Sequence, residues 1–419
     1  MTVGAFEVRP SSLLAHRAHR KRPTARYWLA MSRCETHGQG LCLYCARCRT
    51  DPWDVARRAA TRAPTSVRSF RSCFLLLRKL WERGNPRSMT RIISWTLGFL
   101  AVALIVLVAA VELKNGSGVR KATAEITAYE PPPLSDFGAT RTLTILPLID
   151  WHASRSGLRT EMGVSYLIET DEHRVLFDVG QNTDQEFPSP LERNMKELGI
   201  ELESVDRMFI SHNHFDHVGG KANQKNQTFS VGLEQVPLPD VLAFVPIPMA
   251  YPGLRPIHAH EPTKVGVGLA STGTIPRQLV FGWIEEQALV VQVEGRGGVL
   301  IVGCGHQTIP RLLERYDEVF SEPLYGVVGG LHYPVPEGRL NMMGINVQRR
   351  LASGDGMLAP LTMADVGAEL DGLRARHLGV IGVGGHDSSD EVITMFADAF
   401  GDAYRHVRVG EPIVIASDK

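Results

Sequence analysis

The chain of 419 residues carries 45 basic and 45 acidic side chains, so its formal net charge is zero, which excludes a globally basic nucleic-acid binder or an acidic solvating protein. That neutrality hides two opposed parts: residues 1–88 hold 16 Arg and 2 Lys against 5 acidic residues, a net of +13, and the rest holds 27 basic against 40 acidic residues, a net of −13.

The Arg-rich opening contains Pro and Ser, has no sustained apolar period, and is expected to be disordered. A segment of that charge suits nucleic acid or an acidic membrane face. Cys34, Cys42, Cys45 and Cys48 have the spacing of a zinc or iron–sulfur knot, but the sequence around them offers no folded scaffold. Met89 starts a segment built like a bacterial export signal, so residues 1–88 are read as an overlong translation start.

From Ile92 to Val111 no residue is charged, with Arg87 and Arg91 before the run and Glu112 after it. At ~1.5 Å per residue the run covers about 30 Å, the hydrocarbon thickness of a bilayer. Residues 89–111 are therefore expected to anchor the chain in a membrane. The basic flank puts the amino-terminal side inside and the body outside the cytoplasm, periplasmic or at the cell surface. Secretion after cleavage near Val108-Ala109-Ala110 is the alternative. Beyond this run the one cysteine is Cys304, so the body forms no internal disulfide. Residues 112–140, with Pro131-Pro132-Pro133, read as a linker.

Residues 141–419 suffice for one large α/β domain. Apolar runs predict strands at Thr142–Leu148, Gly163–Thr170 and His173–Phe177, and helical periodicity recurs at Pro188–Leu198, Ile309–Tyr316, Ala364–Arg376 and Ser389–Phe400. Between them lies His212-Asn213-His214-Phe215-Asp216-His217, three imidazoles and a carboxylate within six residues. The strand-like Arg207-Met208-Phe209-Ile210 precedes it. In extended chain His212 and His214 point the same way and can grip one ion. Asp216 and His217 are expected to open a helix toward Val218-Gly219-Gly220 and to diverge to a second ion. Neutral imidazole with carboxylate favours one or two divalent ions, zinc first, with manganese or iron compatible. His306, His332 and His386 each end an apolar segment, a common way to present a ligand. Cys304 reads as a buried thiol beside the metals or substrate, with ligation as thiolate the alternative, and His258 and His260 read as a surface loop. The chain has no Gly-x-Ser-x-Gly elbow, phosphate-binding loop or dinucleotide fingerprint.

The hexapeptide after a strand, with Val175-Leu176-Phe177-Asp178-Val179-Gly180 before it and Gly303-Cys304-Gly305-His306, Gly329-Gly330-Leu331-His332 and Gly385-His386-Asp387-Ser388 after it, resembles the metallo-β-lactamase superfamily. Within it the chain is most similar to the branch that includes the dihydropterin ribofuranosyl-aminobenzene phosphate synthases. Asn213, Phe215 and the Asp387-Ser388-Ser389 that follows His386 depart from that branch's usual residues. The resemblance implies an αββα sandwich with the metals at one sheet edge. It implies a ligand set of His212, His214, Asp216, His217, His306 and His386. Asp178 would orient a ligating His without touching metal, and His332 would act as ligand or substrate contact. In the wider superfamily an Asp at the end of a later strand bridges two ions; here that strand delivers Cys304 and His306, and His306 is taken as the ligand. The expected activity is hydrolysis of a small ester, lactone, phosphoester or amide by a metal-activated water, with Asp216 as its proton acceptor. A pterin-pathway synthase and an iron-dependent redox enzyme are the alternatives. The expected partners are a small-molecule substrate and, through residues 92–111, a membrane, with no nucleic acid for the catalytic domain.

Overall fold

The computed structural model describes residues 86–418. The expectations for the chain before residue 86, its disorder and the cluster from Cys34 to Cys48, lie outside the described residues.

Helix α1 spans Pro86–Ala128, 43 residues. Its apolar stretch is long and apolar enough to cross a membrane and is not buried by the body, leaving Trp95 79% and Phe99 73% exposed. The helix does not stop at Val111. Residues 112–128, read above as linker, continue it and pack on the body, where Asn115 and Ala122 are buried. Asn115-Gly116-Ser117-Gly118 reads locally as a break, but tertiary contact overrides that preference. A Cβ at Gly118 would overlap the Gln278 side chain, so glycine lets the two meet. The helix is fastened by Asn115 Nδ2 donating to Asp355 O at 2.7 Å and by Leu358 N donating to Glu112 Oε1 at 2.9 Å. The Pro-rich chain after residue 128 then delivers Phe137 into the core.

The body opens with β1 (Thr142–Ile149), β2 (Ser165–Glu169), β3 (Arg174–Phe177), α2 (Pro190–Glu197), β4 (Arg207–Phe209), α3 (Lys221–Asn226), β5 (Leu242–Val245) and β6 (Ile257–His258). It continues through β7 (Thr263–Gly266), β8 (Leu269–Ser271), the hairpin β9 (Ile275–Leu279) and β10 (Gly282–Glu286), β11 (Leu289–Val293) and β12 (Gly297–Val302). Then come α4 (Ile309–Val319), β13 (Leu324–Gly329), the short hairpin β14 (Asn341–Met342) and β15 (Ile345–Asn346), and α5 (Val347–Ala352). The chain closes with α6 (Met363–Arg374), β16 (Val380–Val383), α7 (Asp390–Phe400) and β17 (Ile413–Ala416). The four helices expected from periodicity occur within two residues of their expected ends, except that α4 runs three residues longer.

One sheet has the order β17-β1-β2-β3-β4-β5-β6 and the other β16-β13-β12-β11-β8-β7. Alternation along each strand builds three cores. Val299 and Ile301 of β12 meet Ile145, Phe177 and Phe209 of the first sheet, forming the inter-sheet layer. Leu300 and Val302 point the other way, into a core shared with Leu312 of α4, Leu370 of α6 and Phe396 of α7. Beneath the first sheet, Leu176 and Met208 pack with Leu191 and Met195 of α2. The result is helix, sheet, sheet, helix, a layering that buries both faces of each sheet.

Position matters most at the strand ends. β3, β4 and β5 are mutually parallel neighbours, as are β12, β13 and β16. Their carboxyl ends release loops at the same edge of each sheet, where ligands of open α/β sheets bind.

Candidate metal centre

The loop after β4 stays extended through His214 and then folds into a single turn, in which Val218 N donates to His214 O at 3.2 Å and Gly220 N donates to Phe215 O at 2.7 Å. The helix expected to open at Asp216 does not form there. Gly219 and Gly220 have φ of +81° and +109°, a left-handed pair that ends the turn before α3 begins at Lys221. The turn swings His217 inward while His212 and His214 remain adjacent, with His212 Nε2 and His214 Nδ1 3.0 Å apart.

The second sheet brings the partners. The loop after β12 carries Cys304 and His306, that after β13 His332, and that after β16 His386 and Asp387. All five are buried, as are His212 and His217. The ligating atoms of His212, Cys304 and His306 lie within 4.8 Å of one another, as do those of His217, Cys304 and His386, and those of Cys304, His332 and Asp387. Cys304 is common to all three groups. Its Sγ is 3.2 Å from His217 Nε2 and 3.2 Å from His386 Nε2. Cys304, expected as a buried thiol beside the metals or substrate, holds this shared position; the available signal was its place just after β12, two residues before His306.

Asp178, at the end of β3, touches none of these groups except His217. Its Oδ2 lies 2.7 Å from His217 Nδ1, and it accepts from Ser211 N and Ser211 Oγ, each at 2.7 Å. The contact holds the imidazole with Nε2 toward Cys304. Glu286 plays a parallel part from β10 that the sequence did not disclose. Its carboxylate accepts backbone N–H from Cys304, Gly305 and His306 at 2.9, 2.9 and 2.8 Å, fixing the loop that carries two of the buried groups. Asp387 was also passed over. It accepts from His332 N at 3.0 Å, and its Oδ2 is 3.6 Å from His386 Nε2. Exposed His258 and His260 gather with Glu285 in a separate group whose ligating atoms lie within 4.8 Å. None of these three belongs to the buried cluster.

Burial, followed by repulsion from neighbouring imidazoles, pushes the pKa of His212 and His306 well below the usual value, and that of His214 down to about 3. Burial outweighs nearby carboxylates to lower His217 and His386 as well. These rings are neutral at pH 7, the form that ligates metal. Burial, and then the charges of Asp387 and Asp216, push the Cys304 thiol far up, and burial raises Glu286 to about 7. Asp387 is pushed up by burial but held low overall by His386 and His332. A thiol among carboxylates and neutral imidazoles is an environment whose charge balance a cation completes.

Both ring nitrogens of His306 and of His332, His386 Nδ1 and Asp216 Oδ1 are buried without any hydrogen-bond partner. Orphaned polar atoms on this scale are costly, and several converge on one place. The donor set and these atoms fit divalent ions. Beside them is a cleft of about 330 Å³ lined by Met162, Phe215, Phe281, Leu340, Val347 and Leu351, with His214, Asp216 and Cys304 at its floor.

The family model described as the metallo-beta-lactamase superfamily matches residues 158–224, a span that includes the hexapeptide. A 7,8-dihydropterin-6-methyl-4-(beta-D-ribofuranosyl)-aminobenzene-5'-phosphate synthase of Methanocaldococcus jannaschii is 24% identical over 246 residues, covering 48% of this chain and 80% of that protein. An uncharacterised protein of the same organism is 29% identical over 196 residues, 41% of this chain and 72% of its own length. Among solved structures, a metal-dependent hydrolase of the beta-lactamase superfamily has 19% identity and a TM-score of 0.44, covering 66% of this chain and 100% of that one. With the family model lying across the ligand loop and the distant synthase matching across most of its own length, the chain is similar to the metallo-β-lactamase superfamily over the region that carries the hexapeptide.

Proposed function

We propose that this protein is a membrane-anchored, divalent-metal-dependent hydrolase acting on a small ester, lactone, phosphoester or amide. The observation that carries the reading is the convergence of His212, His217, His306 and His386 on one buried thiol, Cys304, beside an open cleft. His212, His306 and Cys304, with His214 beside them, would hold one ion; His217, His386 and the same Cys304 would hold a second. When bound, such ions supply Lewis acidity, bringing the pKa of a water down from 15.7 to roughly 7. The sulfur among nitrogen donors favours zinc or iron over magnesium or calcium.

The chain's own groups then divide the remaining work. Asp216, at the cleft floor with Oδ1 unpartnered, takes the proton of the attacking water. Asp178 keeps the His217 ring in one orientation, and Glu286 keeps the Cys304–His306 loop rigid by its three N–H contacts. Phe281 packs beside His214, ring centroids 5.3 Å apart, and gives that side of the cleft an apolar wall. The apolar run of α1 crosses the bilayer, with Arg87 and Arg91 on the cytoplasmic side and the body outside it.

Elemental mass spectrometry of the full chain purified without chelators or added metal is the test. One or two equivalents of zinc or manganese, with the share held at the His212 position missing in His212→Ala, support hydrolysis; iron moves the protein to redox chemistry; a folded protein without metal overturns the reading. A synthase activity on a pterin precursor is the second reading, favoured by the similarity to the archaeal synthase.

A further inference from the structure

The rim of the cleft is apolar and faces outward. Leu340, Met342, Met343 and Ile345, on and around the β14–β15 hairpin, are 43%, 58%, 100% and 58% exposed, and Phe281 at the tip of the β9–β10 hairpin is 52% exposed. Hairpin, α5 and the following loop form one continuous lip. Val347 N and Gln348 N donate to Leu340 O, while Arg349 Nε and Arg350 Nη1 donate to Leu361 O and Met357 O. Leu340, Val347 and Leu351 of this lip line the cleft itself. Four large apolar side chains exposed within six residues form the kind of patch that marks an interaction surface.

What covers it is indicated by where the lip is fastened. Its loop is held by Glu112 and Asn115, the first turn of α1 after the uncharged run ends at Val111. At ~1.5 Å per residue, those anchors stand within about 6 Å of the end of that run. Leu358, whose N–H makes the Glu112 contact, is itself 72% exposed. The β9–β10 hairpin rests on the same helix two turns later, where Gly118 meets Gln278 and Lys121 Nζ lies 4.4 Å from the Trp283 ring centroid. Both walls of the cleft mouth therefore stand on the turns of α1 that follow the uncharged run.

We infer that the lip from Leu340 to Leu361 lies in the headgroup and upper acyl layer of the bilayer, and that the cleft receives the apolar chain of a bilayer-borne amphiphile whose polar end reaches the metal centre. The inference rests on the membrane-anchored reading above and goes beyond it by naming the occupant of the lip and the substrate class. Apolar side chains exposed in water gain by entering the interface, and the apolar wall of the cleft beside them gives a lipid chain a path out of the bilayer.

The experiment uses the full chain reconstituted in phosphatidylcholine vesicles containing lipids brominated either near the headgroup end or near the methyl end of the acyl chain. Three variants are read by tryptophan quenching against the parent: Trp95→Phe, whose difference reports the helix, and Met343→Trp and Leu358→Trp, both at exposed positions that accept the larger ring. The expected result is loss of Trp95 emission to bromine in the acyl layer, and loss of emission from both added tryptophans to the shallow bromines more than to the deep ones. If Trp95 is quenched and position 343 is not, the mouth opens away from the bilayer and the inference is overturned, whatever position 358 shows. A blue shift at position 343 without quenching places a second copy or another protein on the lip and overturns it equally. If Trp95 itself is unquenched, the membrane-anchored reading fails first.

Discussion

The two sheets contribute to the candidate metal centre in opposite ways. The first sheet supplies His212, His214, Asp216 and His217 from one loop, so their relative placement is set by local turn geometry and by the left-handed glycines that end it. The second sheet supplies Cys304, His306, His332, His386 and Asp387 from the ends of three strands up to 83 residues apart in the chain, so their placement is set by strand register in β12, β13 and β16. One half lies on a single stretch of chain, steadied by Asp178 and Gly180 after β3; the other comes together only when three strands are in register. Bound metal would therefore tie the two sheets together, and its binding energy would be folding energy for the seam between them.

The sharpest way to break this symmetry is to remove the one group both proposed ions share. Cys304→Ala should abolish binding of both ions and lower turnover by on the order of a thousandfold or more, while His212→Ala should empty one position and leave metal on the other. Metal stoichiometry on the two purified variants checks it; equal stoichiometry in Cys304→Ala and the parent would remove Cys304 from the ligand set. Next in size is Asp216→Asn. If the carboxylate acts on the water's proton, turnover should fall roughly 10²–10⁴-fold with metal content largely kept, and a parallel loss of metal would make it a ligand alone. Asp178→Asn acts one step further out. Relaxing the His217 ring should weaken metal affinity by roughly 10–100-fold, read by competition with a chelator, with little change in turnover at saturating metal.

The same contrast explains what the sequence discloses. The hexapeptide is legible because its spacing alone carries the chemistry. The buried strands and the four long helices are legible because period-2 and period-3.6 apolar patterns survive in them. Glu286 is not, since a lone acidic residue at a strand end is indistinguishable from a surface charge until three N–H groups of a distant loop are seen converging on it. Cys304 looks like any apolar thiol because only the closing of β12 against β13 and β16 sets it between His217 and His386. The helical course of residues 112–128 is hidden for the opposite reason, since Asn115-Gly116-Ser117-Gly118 signals a break that packing against Gln278 and Asp355 overrules.

A gentler probe compares the halves through protons in the metal-free protein. His214 has its pKa lowered from about 6.5 to about 3, chiefly by burial. Above pH 6.5 both folded and unfolded chains hold this ring neutral, and its contribution to stability does not change with pH. As the pH falls from 6.5 toward 3, the unfolded chain takes up a proton that the folded chain refuses, so the folded state loses stability over that window and no further below it. Glu286 works the other way. Its folded pKa near 7 stands above the ordinary carboxylate value of 4.5, so full stability is present below 4.5 and is lost as the pH rises through 7. Urea denaturation of the metal-free chain should thus show His214→Asn flattening the acid limb and Glu286→Gln flattening the neutral limb, each without moving the other. If either substitution leaves its own limb unchanged, that group is not held in its buried, shifted state, and the half of the centre it belongs to is not preformed before metal binds.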